Sequence, residues 1–314
     1  MIVTVTLNPS LDRTLCVPAL HPGAIHRAQF VRQDLGGKGI NVSRALRALG
    51  IPSRITGFAG GWTGKVLRDG LSADGYDICF VEVGGETRQN ITLLDEAANE
   101  YTKINEPGPR IGAQHVDALQ SRIEEITHPN DLWVFSGSLP PGAPLDLYAQ
   151  LITRVQAKGA VAFVDASGAA FRAGVAAAPF AVKINTDEAA EFCGRPMEND
   201  ADVFGAVQTL QSAGVRLVAL TRGARGLVLG MDGELVSATP PPVAAHSSVG
   251  AGDAVLAGLL WAVSEQCNPG ETARRAVACG TAAAMQEGTA MGDRALVERL
   301  LDQIQITSRP VTLA

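Results

Sequence analysis

The sequence of 314 residues lacks any long block of charge of one sign and any long apolar run. Its 26 lysines and arginines against 32 aspartates and glutamates give a net charge of −6, so a nucleic-acid-binding surface is not expected. The alanine-rich stretch 160–182 is broken by Asp165, Arg172 and Pro179, whereas a membrane span needs about 18 consecutive apolar residues. The first residues, MIVTVTLNPS, carry no basic segment and have the composition of a strand. These absences predict a soluble, cytoplasmic protein without a membrane partner.

Cysteine is scarce, and its distribution excludes two further classes of protein. The five cysteines are odd in number and far apart: Cys16, Cys79, Cys193, Cys267 and Cys279. No two have the spacing of a metal-ligand pair or of a redox motif, so we expect reduced thiols. No linker rich in proline, glycine or serine divides the chain either. We therefore expect a single main domain over residues 1–314.

Short β-branched runs alternate with helical periodicity along most of the chain. Candidate strands lie at 2–7, 54–58, 132–136, 161–165, 180–184, 216–221 and 226–231. Candidate helices lie at 41–49, 63–73, 114–126, 145–158, 201–213, 251–265 and 271–286. This alternation predicts an α/β fold, with a central and mostly parallel sheet covered by helices on both faces.

Two segments interrupt the alternation. Residues from about 12 to 35 and from about 78 to 105 have extended polar–apolar character without a helix between the runs. They predict a small β-sheet that acts as a lid over the carboxyl ends of the parallel strands, where α/β proteins bind ligands.

The segment HSSVGAGDAV (246–255) precedes an apolar helix and is the strongest local signal. Gly250, Ala251 and Gly252 allow backbone N–H groups to approach a ligand closely, and the start of a helix attracts anions. Asp253 in the first turn could take a proton from a hydroxyl. Taken alone, the segment is equally compatible with a glycine-rich turn in which Asp253 only complements the helix dipole.

The familiar nucleotide-binding motifs are absent. GFAGGWTGKV (57–66) resembles a Walker loop, but Ala59 replaces its first glycine and Val66 the Ser/Thr that would hold magnesium. Val255 replaces the third glycine of a dinucleotide fingerprint at 250–255. Any phosphate chemistry must use another scaffold.

A second glycine-rich segment, LGGKGINVSRAL (35–46), opens a helix. Backbone N–H groups, the amide of Asn41 and the cation of Lys38 suit a polyhydroxylated anion. An ordinary glycine-rich helix start is the alternative.

Six motifs together resemble those of the PfkB/ribokinase-type carbohydrate kinases in order and spacing, over essentially the whole chain. They are TLNPSLD (6–12), GGKGINV (36–42), SGSLPPG (136–142), KINTDE (183–188), TRGARG (221–226) and VGAGD (249–253). Four segments are most similar to the phosphosugar branch, which contains the 1-phosphofructokinases and, nearby, the tagatose-6-phosphate kinases: NPSLD, GGKGINVSRAL (36–46), TRQN (87–90) and INEPGP (104–109). The resemblance implies a ribokinase-like fold and a homodimer formed through the lid.

The resemblance also implies a reaction: phosphorylation of fructose 1-phosphate by ATP and Mg²⁺ at the carbon-6 hydroxyl, giving fructose 1,6-bisphosphate. Phosphorylation of tagatose 6-phosphate or fructose 6-phosphate at carbon 1 stays an alternative, since these ketohexose phosphates are nearly pseudosymmetric. A non-catalytic sugar-phosphate sensor is a further alternative, which would be expected to lack the base or the magnesium element.

By the same resemblance, Asp253 is the general base and the backbone of Gly250, Ala251 and Gly252 is the anion hole. The implied sugar contacts are Asp12, Gly37, Lys38, Asn41 and Ser138. The implied site for the phosphate already on the sugar comprises Arg88, Asn90, Lys103 and, from the neighbouring subunit, Arg27. Simpler interpretations stay open here, since Arg13 could pair with Asp12 and Arg27 could be merely solvated.

The resemblance further implies a nucleotide site at Lys183, Asn185, Thr221, Gly223, Gly226, Ser248 and Gly280. Asn185 and Glu188 are implied to order magnesium, largely through water. A helix start capped by Thr186 would also explain Glu188. Two positions depart from the family pattern: Ile184 stands where proline is usual, and Ser247 where asparagine is frequent.

Overall fold

The computed structural model describes residues 1–247 and 249–310. Its strands are β1 (Ile2–Thr6), β2 (Ser10–Val17), β3 (Phe30–Gly36), β4 (Arg54–Gly60), β5 (Asp77–Ile78), β6 (Val81–Val83), β7 (Arg88–Asp95), β8 (Glu100–Asn105), β9 (Leu132–Ser136), β10 (Val161–Asp165), β11 (Ala181–Asn185), β12 (Leu217–Thr221), β13 (Leu227–Met231), β14 (Glu234–Thr239) and β15 (Gln305–Pro310). Its α-helices are α1 (Lys38–Ala48), α2 (Gly61–Ala73), α3 (Ala113–Ile126), α4 (Leu147–Ala157), α5 (Gly168–Ala176), α6 (Thr186–Cys193), α7 (Asp200–Ser212), α8 (Ala251–Ser264), α9 (Pro269–Ala284) and α10 (Arg294–Leu301).

The large sheet has the order β15-β14-β13-β12-β11-β10-β9-β1-β4-β5, with β6 also paired to β4. From β5 to β12 neighbouring strands are parallel, and strands such as IVTVT and LWVFS are buried along their whole length. The predicted α/β architecture is confirmed. Beyond β12 the strands pair antiparallel, β12 with β13, β13 with β14 and β14 with β15. Asp232 and Gly233 both have positive φ and form the tight hairpin turn between β13 and β14.

Helices cover both faces of the large sheet. One apolar cluster joins the sheet to α3, α4, α5 and α7, with Trp133, Tyr148 and Phe171 among its fully buried side chains. The other cluster joins the opposite face to α1, α8, α9 and α10. Within the described residues no helix is long and apolar enough to cross a membrane.

A second, four-stranded sheet has the order β3-β2-β7-β8 and is called the small sheet below. Its strands fall mainly within the two segments expected to form a lid. The beginning of the second segment differs, because β5 and β6 (77–83) pair in parallel with β4 at the edge of the large sheet. That edge offers free backbone groups directly beside them, and Val83 is buried there.

The parallel strands end side by side and thereby gather polar residues at one edge. Thr6 of β1 is in register with Ser136 of β9, which is in register with Asp165 of β10. On the next two strands, Asn185 of β11 is in register with Thr221 of β12. This edge is where ligands bind in parallel α/β sheets.

Candidate active site

Asp253 lies in the first turn of α8, which begins after Gly250, and its side chain is buried. Its Oδ2 accepts a hydrogen bond of 2.9 Å from Nδ2 of Asn41, in the first turn of α1. The first N–H groups of α8 have no carbonyl partner within the helix and are free to bind an anion. The two glycine-rich segments of the sequence therefore meet at a single carboxylate.

The surroundings of Asp253 tune its proton affinity. Burial raises the pKa of Asp253 to about 6, and the negative charge of Asp165 acts in the same direction. The hydrogen bond from Asn41 and the charges of Lys183 and Lys38 act against that rise. A carboxylate with a pKa near neutrality is well suited to general-base catalysis.

Asp165, which the sequence reasoning missed, connects two of the predicted cations. Its Oδ1 accepts a hydrogen bond of 2.9 Å from Nζ of Lys38, and its Oδ2 one of 3.2 Å from Nζ of Lys183. The carboxylate is completely buried. Burial alone would raise the pKa of Asp165, but the charges and hydrogen bonds of both lysines hold it below the usual value. Its position at the end of a buried parallel strand was the signal that could have identified it.

Lys183 lies against the start of α8. A Cβ atom at Gly252 would be 3.0 Å from Nζ of Lys183, so glycine allows the ammonium group to approach the backbone of the helix. Ile184, which stands where proline is usual in the family pattern, therefore does not keep Lys183 from this position. Gly250, Ala251 and Gly252 thus surround a place where N–H groups and one cation converge, as expected for a phosphate site.

A cavity of about 210 Å³ is linked to this place through Lys38, which lines the cavity and shares Asp165 with Lys183. Its lining is almost entirely polar: Thr6, Asn8, Lys38, Arg88, Ser136, Gly137, Ser138 and Ser167. It brings together three predicted sugar-site residues, Lys38, Arg88 and Ser138. Asn8, Thr6, Ser136 and Ser167 were not predicted, although Thr6, Asn8 and Ser136 belong to the quoted motifs. Gly37 caps α1 directly before Lys38.

Arg88 begins β7 and is half-buried beside the cavity. Its Nε donates to the carbonyl oxygen of Asn8 at 3.2 Å, and one terminal nitrogen donates to that of Glu106 at 3.4 Å. These two carbonyls fix the plane of the guanidinium group. Its remaining N–H groups can form the paired hydrogen bonds that suit a phosphate.

Asp12 points to the same side of the small sheet as Asn90. Its Oδ1 accepts hydrogen bonds from Ser10 Oγ at 2.7 Å and from Asn90 Nδ2 at 2.8 Å. Arg13 follows on the other face of the strand, so it does not pair with Asp12. Asn90 orients Asp12 in this structure, whereas the sequence suggested a phosphate contact for it.

Two of the predicted phosphate ligands stand apart from the cavity. Lys103 is exposed, with its Nζ 5.1 Å from the ring centre of Tyr101. Arg27 is exposed in the loop between β2 and β3. Neither lines the cavity within the single chain.

Asn185 and Glu188 form a reciprocal cap at the start of α6. Asn185 Oδ1 accepts from the backbone N–H of Glu188 at 2.9 Å, and Glu188 Oε2 accepts from that of Asn185 at 3.0 Å. The capping residue is therefore Asn185 rather than Thr186. This box fixes both side chains at the edge of the sheet and leaves Oε1 of Glu188 available.

The predicted nucleotide residues follow β11 and β12. Thr221 ends β12 and its hydroxyl donates to the carbonyl of Ile184 at 3.4 Å, while Gly223 and Gly226 bound the short 3₁₀ turn after it. Gly280 of α9 is buried against α8, where a Cβ atom would be 2.5 Å from Val255. Its lack of a side chain thus serves helix packing. Ser248 lies outside the described residues.

This geometry defines a class of protein. A buried base at a helix start, a cation beside it and a hydroxyl-lined cavity are the parts of a kinase that phosphorylates a polar alcohol. The chain belongs to the pfkB family of carbohydrate kinases, whose family model matches residues 6–295. The predicted family is therefore confirmed, and ATP is the phosphate donor.

Individual relatives cover nearly the whole chain. The chain is 36% identical over 292 residues to a 1-phosphofructokinase of Xanthomonas campestris, with 92% of each protein covered. It is 34% identical over 291 residues to the ATP-dependent 6-phosphofructokinase isozyme 2 of Escherichia coli, covering 92% of this chain and 94% of that one. The crystal structure of phosphofructokinase-2 from Escherichia coli in complex with potassium superimposes with a TM-score of 0.91 at 32% identity, covering 96% and 98%. The ribokinase-like fold is confirmed by this similarity.

Proposed function

We propose that this chain transfers the γ-phosphoryl group of ATP to the carbon-6 hydroxyl of fructose 1-phosphate, giving fructose 1,6-bisphosphate and ADP. The observation that carries the proposal is the buried Asp253 in the first turn of α8. It is held by Asn41, which lies on α1 with the cavity-lining Lys38. Several relatives at 29–36% identity, from Xanthomonas campestris to Bacillus subtilis, are named 1-phosphofructokinase.

In the proposed reaction, Asp253 accepts the proton of the sugar hydroxyl as the hydroxyl oxygen forms a bond to the γ-phosphorus of ATP. The bond from that phosphorus to the bridging oxygen breaks, and its electron pair leaves with ADP. The N–H groups of Gly250, Ala251 and Gly252 and the ammonium of Lys183 stabilise the negative charge on the transferred group. Such preorganised donors supply much of the catalysis of phosphoryl transfer.

The phosphosugar occupies the cavity in this proposal. Arg88 and Lys38 bind the phosphate already present, with Ser138 beside them, while the acceptor-only carboxylate of Asp12 binds sugar hydroxyls. Asn90 acts on the sugar through Asp12. Lys103 lies on the same face of the small sheet and would reach the phosphate only if that sheet moved toward the cavity as a lid.

The donor set near the nucleotide fits magnesium. Among the described residues no group of three or more His, Cys, Asp or Glu side chains could hold a metal ion. Magnesium keeps several of its waters and uses few carboxylates together with substrate phosphates, which matches the single available Oε1 of Glu188. Asn185 and Glu188 would hold the ion largely through water, where it would neutralise phosphate charge. Thr221, Gly223 and Gly226 would adjoin the ribose and phosphates of ATP.

A homodimer forms through the small sheet in this proposal. One face of that sheet carries five neighbouring apolar side chains, in the register given by the strand pairing: Leu15, Val31, Ile91, Leu93 and Ile104. Val31 and Ile104 are each 52% exposed in the single chain, so pairing with a second copy would bury them. The neighbouring subunit would bring Arg27 to the phosphosugar. All five cysteines are free, in keeping with a cytoplasmic location.

The decisive experiment measures ADP release with fructose 1-phosphate, fructose 6-phosphate, tagatose 6-phosphate and unphosphorylated fructose side by side. We expect the highest kcat/KM with fructose 1-phosphate and little activity on free fructose, because Arg88 and Lys38 would have no phosphate to bind. Equal or higher kcat/KM with either 6-phosphate would refute the substrate. A protein that binds a phosphosugar but releases no ADP would be a sensor.

A further inference from the structure

Asp165 contacts both predicted substrate sites through two lysines. Each of its oxygens accepts a hydrogen bond from a different lysine, Oδ1 from Lys38 and Oδ2 from Lys183. Its side chain is completely buried, and its main-chain carbonyl accepts a hydrogen bond of 2.9 Å from the N–H of Gly137, beside Ser138. It therefore has no free surface for a ligand.

The two lysines serve different halves of the site. Lys38 opens α1 and lines the cavity together with Arg88. Lys183 comes from β11 and lies against Gly252 at the start of α8. A cation on the sugar side and a cation on the nucleotide side are thus held by one carboxylate.

We propose that Asp165 is a positioning residue, which orients Lys38 toward the phosphosugar and Lys183 toward the nucleotide without touching either substrate. This inference rests on the proposed function for its sugar half. Two ammonium groups held this close would repel each other and take several rotamers without a shared anion. One charge between them keeps both within reach of their ligands.

The same carboxylate also acts on the base. The charged groups that face Asp253 are Asp165, Lys183 and Lys38, and Asn41 adds its amide. Neutralising Asp165 removes a negative charge near Asp253 and leaves both lysines without their common partner. Both changes favour the ionised base and lower the pKa of Asp253. The acid limb of the pH profile, over which kcat/KM falls as the base becomes protonated, therefore moves to lower pH. A buried carboxylate that pairs with a cation away from the site would leave that limb in place.

The test compares Asp165→Asn with the unmodified enzyme. The variant keeps the size of the side chain but loses its charge. We expect KM for the phosphosugar and KM for ATP each to rise on the order of tenfold, as for other partners that orient a ligating residue, and the acid limb to move to lower pH. Unchanged KM values for both substrates, a change in only one of them, or an unmoved acid limb would overturn the proposal.

Asp131→Asn is the matched control. Asp131 is also buried and paired with a cation, the N-terminal amine at 2.9 Å, but that amine belongs to Met1 and does not line the cavity. Its substitution should leave both KM values and the acid limb unchanged. A general loss of packing would affect both variants alike.

Asp165→Glu decides the question if Asp165→Asn does not fold. It keeps the charge and shifts the oxygens by one methylene, so we expect higher KM values for both substrates with an unmoved acid limb. KM values equal to those of the unmodified enzyme would overturn the proposal.

Calorimetric binding of ADP separates this inference from the proposed function. If the unmodified enzyme phosphorylates none of the phosphosugars, the proposed substrate fails. Weaker ADP binding by Asp165→Asn than by Asp131→Asn would still support the nucleotide half of the inference. Equal ADP binding by the two variants would overturn it.

Discussion

Asn41 donates a hydrogen bond from its amide nitrogen to Oδ2 of Asp253 over 2.9 Å, joining residues 212 positions apart. Arg44, one turn further along α1, donates to the amide oxygen of Asn41 at 3.4 Å. The oxygen of Asn41 is thereby occupied by a cation, and its nitrogen faces the carboxylate. Since an amide nitrogen can only donate, Asp253 is held as an acceptor. Within the described residues its Oδ1 has no hydrogen-bond partner and can receive a proton from a substrate.

Asp253→Asn should lower kcat by about 10²- to 10⁴-fold, because the amide cannot accept the hydroxyl proton. Binding of ATP, measured by calorimetry, should change little. Asp202→Asn is the control, since Asp202 also lies in the first turn of a helix, α7, but outside the site. Near-normal turnover of Asp253→Asn would reduce Asp253 to a partner of the helix dipole.

The activity should depend on pH through Asp253. Burial raises the pKa of this carboxyl to about 6, and the base must be ionised to act. We therefore expect kcat/KM for the phosphosugar to rise with pH through about 6 and then to level off. Asn41→Ala removes a hydrogen bond that lowers this pKa, so its acid limb should lie at higher pH. An acid limb unmoved by Asn41→Ala would separate that limb from Asp253.

Arg88→Ala should raise KM for the phosphosugar by about 10- to 100-fold, because a charged hydrogen-bond donor to the phosphate is lost. KM for ATP should hardly change. Arg68→Ala is a matched control, since Arg68 also donates to a main-chain carbonyl, that of Ala59, but does not line the cavity. Equal increases in KM for both substrates would exclude Arg88 from phosphate binding.

Glu188→Gln should raise the free magnesium concentration needed for half-maximal activity. Glutamine can still accept the hydrogen bond from the N–H of Asn185, so the cap of α6 and the melting temperature should be kept. Only the charge near the ion is lost. A magnesium titration identical to that of the unmodified enzyme would contradict the metal role.

The proposed dimer should dissociate when charge is placed on the apolar face of the small sheet. Ile104→Asp should sediment as a monomer, because the interface would have to bury a carboxylate. Tyr101→Asp is the control: Tyr101 lies on the opposite face of the same strand and is 66% exposed. A dimer that survives Ile104→Asp would require another interface.

Most of the central sheet could be predicted from the sequence, because strands such as 132–136 and 161–165 are short apolar runs between helical periods. The antiparallel end of the sheet could not, since β15 comes from residues 305–310 and joins the sheet across a long stretch of chain. Strand propensity reflects the local preference of a segment, whereas the pairing of β15 with β14 depends on a partner that is distant in the sequence.

The residues of the candidate site could be predicted where they belong to a recognisable sequence motif. Asp253, Asn41 and Lys38 stand in glycine-rich segments, whose composition signals a close approach of the backbone. Asp165 ends an ordinary apolar strand. Its proposed positioning role depends on Lys38 and Lys183, which reach it only in the folded structure. Its position at the end of a buried strand indicates the edge where ligands bind, but sequence spacing does not show which cations reach it there.

The two halves of the site are synthesised at different times, because their residues lie in different parts of the sequence. Every residue that lines the cavity lies between Thr6 and Ser167, whereas Asp253 opens α8 much later. During synthesis the residues of the sugar pocket therefore leave the ribosome well before the base does. An incomplete chain therefore cannot transfer the phosphoryl group of ATP until α8 has packed between α1 and α9.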